Sequence, residues 1–158
     1  MEPTLGGYIQ KFADRYRAAA PEGWVRIVTW WTKLGDSRGE ASLSATTSVA
    51  EAIVRRADGN LVQEPIRPKT PPVQDLLQIE PLQVGTPDEG WMLLKVEIEP
   101  DRVVRADFEQ GEPLRTEGSL RSRWADEVHR YLDLHREELE QPGRPDEEPR
   151  RARNPFRR

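Results

Sequence analysis

The chain has 158 residues, 35% apolar and 33% charged, with a formal net charge of −4. That length suits one domain, and the charged fraction exceeds the roughly 25% of an ordinary globular chain, so part of the sequence is expected to lie outside the core. The lack of cysteine excludes a disulfide framework, a thiol nucleophile and thiolate metal sites, while five tryptophans exclude wholesale disorder.

Thr4 to Ala20 reads as an amphipathic helix, with Leu5, Ile9, Phe12, Tyr16 and Ala20 on one stripe and Thr4 as N-cap. Pro21 and Gly23 end it. Trp24 to Leu34 (WVRIVTWWTKL) is a strand rich in β-branched and aromatic residues. Alternation sets Val25, Ile27 and Trp31 on one face and Trp24, Val28 and Trp30 on the other, so this strand is expected to be central or covered on both sides. Residues 35–39 read as a hairpin loop leading into a more polar strand from Glu40 to Val49, with Ala41, Leu43, Ala45 and Thr47 inward. Ala52, Ile53 and Val54 fit either a strand or a helical turn. The preferred reading is a third strand that ends at the Asp58-Gly59-Asn60 turn, with Leu61 starting the return.

Six prolines between residues 65 and 87 exclude a long regular element there. Pro72 to Ile79 is the exception, because proline is tolerated at a helix start; Val73, Leu76, Leu77 and Ile79 would cover a sheet face. Trp91 to Phe108 is the clearest hairpin. A three-residue loop, Pro100-Asp101-Arg102, sets Ile98 opposite Val104, Val96 opposite Ala106 and Leu94 opposite Phe108. It also sets Glu97 opposite Arg105 and Lys95 opposite Asp107, so apolar and charge matching select one register. Ser119 to Gln141 is a long helix with Leu120, Trp124, Val128, Tyr131, Leu132, His135 and Leu139 on its stripe. The expected fold is α+β and two-layer: an antiparallel sheet of four to six strands flanked by an N-terminal and a long C-terminal helix. Residues 1–141 form one domain with a proline-rich crossover at 65–87, and the Arg/Pro-rich residues 142–158 are expected to be disordered.

No apolar run reaches the ~18–20 residues of a membrane helix, and the opening MEPTLGGYIQKFADRYR has no apolar h-region, so no signal peptide is expected and the expected compartment is the cytoplasm. Residues 75–117 hold eleven acids and four bases, a net −7 equal to the deficit of residues 1–141. That distribution disfavours nucleic acid, which needs clustered Lys and Arg; it suits a basic protein partner or a solvated surface. His129 and His135 point about 120° apart around their helix and cannot share a metal; His135 belongs at the edge of the core and His129 on the wet side. No GxSxG, SxxK, Walker or GxGxxG pattern occurs, so no catalytic residue, cofactor or metal is assigned, and the chain is expected to bind rather than catalyse. The candidate partner-binding residues are Glu97, Glu99, Asp107, Glu109 and Glu112, with Arg105 and Lys95 interleaved, plus two tryptophans. Trp31 is expected in the core. Trp30 and Trp91 are expected to be exposed, since a small core does not readily enclose so many indoles.

Two segments resemble a known family. Ala19-Ala20-Pro21-Glu22-Gly23-Trp24-Val25-Arg26-Ile27 joins the first helix to the first strand; Gly90-Trp91 opens a hairpin that closes in Asp107-Phe108-Glu109-Gln110-Gly111-Glu112-Pro113. Over roughly residues 5–140 the chain is similar to the YezG-like immunity proteins of bacterial polymorphic-toxin systems, in length, acidity, helix–sheet–helix order, the P-x-G-W junction and the acidic-aromatic strand end. The resemblance implies a protein without catalytic residues that binds and neutralises a cognate toxin, often a nuclease. The alternative is a small acidic chaperone for an exported effector.

Overall fold

Apolar side chains on both faces of β1 (Trp24–Gly35) decide the architecture, because each face must be covered. The computed structural model describes residues 4–35, 41–110 and 120–140. Residues 36–39 of the expected hairpin loop, Glu40, Glu112 and the 142–158 tail lie outside them. In chain order the elements are α1 (Leu5–Arg17), β1, β2 (Ala41–Arg55), β3 (Leu61–Pro65), α2 (Val73–Leu82), β4 (Leu93–Ile98), β5 (Val104–Glu109) and α3 (Leu120–Leu139). The strands form one antiparallel sheet in the order β3-β2-β1-β4-β5.

The α+β class, the strand number and the two terminal helices are as the sequence implies. The layering is not: helices cover both faces, giving three layers instead of two. On one face Phe12, Ala13 and Tyr16 of α1 and Leu76 and Ile79 of α2 pack on Ile27, Trp31, Ala52, Leu94, Val96 and Ile98. On the other, Val128, Tyr131, Leu132 and Leu139 of α3 pack on Val28, Trp30, Ile53 and Leu61. A β-bulge between Trp24 and Arg26 corrects the simple alternation. It sends Trp24 to the α1 side with Ile27 and Trp31, and Val25 to the α3 side with Val28 and Trp30.

Local chemistry explains the element ends. The Thr4 hydroxyl accepts from Gly7 N at 3.0 Å and caps α1. Gly23 has φ +87, and a Cβ there would stand 2.8 Å from Arg55 O. The same two residues are joined by a 2.8 Å bond from Arg55 N to Gly23 O, so the P-x-G-W junction needs glycine where the chain enters the sheet against β2. Residues 50–55 are not a separate strand; β2 runs unbroken to Arg55, and its outer half pairs with β3 after the turn at residues 58–60. Helix α2 starts after Pro72 and extends to Leu82, burying Leu76 and Ile79 but leaving Leu77 exposed.

The β4–β5 register is the expected one at every position derived, from Ile98–Val104 to Leu94–Phe108, with Glu97 opposite Arg105 and Lys95 opposite Asp107. Glu99 N donates to Val103 O at 2.9 Å and Arg102 N to Glu99 O at 3.3 Å, so residues 100–102 are the loop: a type I turn closed by a left-handed residue. That residue is Arg102, at φ 76. Its carbonyl accepts from Gln10 Nε2 at 3.0 Å, a bond any residue would keep. Arg102→Gly is therefore expected to raise unfolding stability by about 0.5–1 kcal/mol, relief of the left-handed penalty outweighing the entropy of glycine. Urea melts of the two proteins check it, and an unchanged or lower midpoint would refute it.

Candidate functional site

A charged side chain buried in a central strand must find partners, since an unpaired buried charge is strongly disfavoured. Arg26, near the start of β1, is such a residue, 5% exposed and turned toward α3 in alternation with Val28 and Trp30. Its guanidinium meets Glu99 Oε2 at 2.8 Å, Glu138 Oε2 at 2.9 Å and the Tyr131 hydroxyl at 3.2 Å, with Glu97 Oε2 at 3.9 Å. The Tyr131 hydroxyl in turn donates to Glu97. Arg105, across the hairpin, lies 3.7 Å from Glu97 and 3.5 Å from Glu99. Carboxylates from β4, its following turn and α3 thus converge on two guanidiniums.

The electrostatics follow from this packing. Burial opposes the charge on Arg26, but Tyr131, Glu138 and Glu99 overcome it and raise its pKa further. Burial also pushes the Tyr131 phenol far up, Glu97 adding to the effect and Arg26 opposing it, so Tyr131 is a proton donor at neutral pH. Burial would raise the Glu138 pKa; Arg26 and His135 override it and hold the carboxyl below the usual range. His135 stacks on Tyr131 at 4.1 Å, and its Nδ1 is 3.2 Å from Glu138 Oε1. It stands at the core edge as expected, and His129 is exposed.

The structure separates the candidate residues. Glu97 and Glu99 belong to the Arg26 network. Asp107 and Glu109 stand exposed on β5, on the sheet face that α3 shares but beyond the strands it packs against. Lys95 faces Asp107 in the register, yet its ammonium pairs with Glu127 of α3. Among the described residues Asp107 and Glu109 have no ion-pair partner. Glu112 lies outside the described residues.

Trp30 and Trp91 are corrections: both are 0% exposed. Trp30 meets Tyr131 edge-on at 5.9 Å and donates to Glu127 Oε1 at 3.1 Å, because α3 seals the second face of the sheet. Trp91 packs edge-on to Phe108 at 5.7 Å beneath the Lys33 ammonium at 4.3 Å. Trp31 is in the core as expected, its Nε1 donating to the Tyr16 hydroxyl at 2.9 Å. Sequence reasoning missed Arg26, Glu127 and Glu138. The available signal was Arg26 itself, a lone charge inside WVRIV. No family model matches this chain, and no curated protein matches it.

Two expectations follow. Arg26→Met leaves Glu97 and Glu99 without their main cation and should cost about 3–5 kcal/mol in a denaturant melt; a loss under about 1 kcal/mol would show the network to be peripheral. Glu138 is ionised more readily in the folded state. Its stabilisation is therefore present above its unfolded pKa and lost as pH falls through its lowered folded pKa. Glu138→Gln should lower stability at pH 7 by about 0.5 kcal/mol, solvent screening keeping the loss small. The difference from wild type should vanish in acid, and a gap that widens there would contradict the assignment.

Proposed function

We propose that this chain is a cytoplasmic immunity protein that binds and neutralises a cognate bacterial toxin through the open face of the β4–β5 hairpin, acting by binding rather than by catalysis. The observation that carries the reading is the pair Asp107 and Glu109, exposed on a strand whose register is held by matched neighbours, while Glu97 and Glu99 are committed to Arg26 and Arg105. A paired strand presenting exposed carboxylates suits a partner with a basic cleft, as a phosphate-handling nuclease has. The resemblance to YezG-like immunity proteins supports the same class. No described helix is long and apolar enough to cross a membrane.

The geometry narrows the acidic surface the sequence implied. Asp75 and Glu80 lie in the −7 segment, yet pair with Arg15 and Lys33 of α1 and β1, so much of that charge is answered within the fold. The surface we assign to the partner is therefore smaller than the whole segment and lies on β5.

Charge reversal at both exposed positions, Asp107→Lys with Glu109→Lys, should slow association with the toxin about tenfold at low salt and leave the melting temperature unchanged. Raising salt from about 50 to 500 mM shortens the Debye length from roughly 14 to 4 Å and should slow the wild type toward the variant. Wild-type association by the variant would move the interface off this face. Cell death on co-expression with the toxin, despite soluble immunity protein, would reject neutralisation for that pair. A chaperone reading draws on Leu77, Leu82 and Val84, exposed at the end of α2; it is favoured if the chain binds an unfolded effector segment and leaves the folded toxin active.

A further inference from the structure

Strand β5 is an edge of the sheet, and its free side is specified in detail. In an antiparallel ladder, directly opposed pairs alternate between those that exchange backbone hydrogen bonds and those that do not. Glu99 N donates to Val103 O, so the bonded pairs further in are Glu97–Arg105 and Lys95–Asp107. Val104, Ala106 and Phe108 therefore turn their N–H and C=O groups outward along the edge. Among the described residues no hydrogen bond reaches those groups from elsewhere in the fold.

We infer that β5 pairs antiparallel with β5 of a second copy, in the two-fold register centred on Ala106. Only outward-facing residues can meet as bonded pairs, which restricts the registers to a few. Centring on Arg105 sets it against the second copy's Arg105. Centring on Asp107 opposes two aspartates, and centring on Phe108 sets Asp107 against Glu109. Centring on Val104 carries Ala106 into the turn at Arg102. Centring on Ala106 pairs all three outward residues, Val104 and Phe108 with each other and Ala106 with itself. On the α1 side this puts apolar against apolar. On the opposite face it puts Arg105 against the second copy's Asp107, twice. One strand is thus self-complementary in backbone, apolar and charge pattern at once, the property a two-fold interface requires. Arg105 has donors for this contact, since its distances of 3.5 and 3.7 Å to Glu99 and Glu97 are those of ion pairs without hydrogen bonds.

The inference goes beyond the immunity reading and stands without it, because its test reads mass and not toxin; Asp107 serves one surface at a time, so a second copy and a toxin compete for β5. Sedimentation velocity of the full chain should show a monomer–dimer equilibrium with a Kd on the order of 10 µM, suited to a small edge interface. Ala106→Pro removes an outward N–H at the dyad, a position where an edge strand tolerates proline; it should give a monomer with unchanged circular dichroism. Asp107→Lys sets lysine against Arg105 at both pairs and should weaken the dimer at least about tenfold. Arg105→Glu should also be monomeric alone, and an equimolar mixture of the Asp107→Lys and Arg105→Glu chains should recover a heterodimer, since each contact then joins opposite charges. A wild type that stays monomeric at about 500 µM, where such a dimer would be filled by mass action, overturns the inference. So does a dimer indifferent to both Ala106→Pro and Asp107→Lys. If Ala106→Pro fails to fold, the lysine variant and the mixture decide alone.

Discussion

Arg26 is the constraint on which the rest of the structure turns. A guanidinium seated in the central strand is tolerable only if carboxylates reach it, and they do, from Glu99 after β4 in its own sheet and from Glu138 of α3 in the layer above. Removing it from the middle of WVRIV would leave α3 tied to the sheet by Glu127 and Gln63 but without the network that gathers Glu97, Glu99, Tyr131 and Glu138 at its C-terminal half. Alternation with Val28 and Trp30 sets Arg26 on the α3 face, and the bulge just before it re-aims Trp24 and Val25.

The same device recurs on the other face. Arg15 of α1 holds Asp75 of α2 through two contacts, at 2.6 and 3.2 Å, and Lys33 of β1 holds Glu80 of α2. Each helix is thus tied to its neighbour by at least one cation–carboxylate pair with one member nearly buried, laid over an apolar contact that supplies most of the stabilisation. Cations early in the chain meet acids later in it. The strong negative segment of the sequence is in good part the complement of α1 and β1.

What could be read in advance divides along a physical line. The β4–β5 register was legible because its determinants are local: Ile98, Val104, Glu97 and Arg105 lie within a few residues of one another, and the wrong register mismatches them all. The helices were legible from their stripes. By contrast, the continuation of β2 through Ala52 to Arg55 depends on pairing with both β1 and β3, and the short run AIV is ambiguous by itself. Two apolar faces on β1 already implied cover on both sides, yet a two-layer fold was expected because consecutive hairpins make an antiparallel sheet that needs helices on one face only. Trp30 and Trp91 looked too numerous for a small core; α3 encloses Trp30 on one face, and the core beneath α1 and α2 encloses Trp91 on the other. Of the candidate site, the acidic cluster was legible as composition. Its division into Glu97 and Glu99, committed to Arg26, and Asp107 and Glu109, exposed and unpaired among the described residues, was not, since that depends on a cation about 70 residues away in sequence.

Helix α3 holds a last consequence. It bends at Arg130, whose φ −108 and ψ 15 are not helical. There the Gln63 side chain of β3 stands in for the missing turn, its Nε2 donating to Val128 O at 2.7 Å and its Oε1 accepting from Leu132 N at 3.0 Å. Those are the two backbone groups that a straight helix would join to each other. A strand residue 69 positions earlier therefore splices the helix. In folding terms, α3 is not a rod that forms locally and then docks. Its bent form exists only once the β2–β3 hairpin is in place, so the final shape of the C-terminal helix is a late, non-local event, and the Leu132 amide is shielded from exchange by a side chain of the sheet instead of by its own helix.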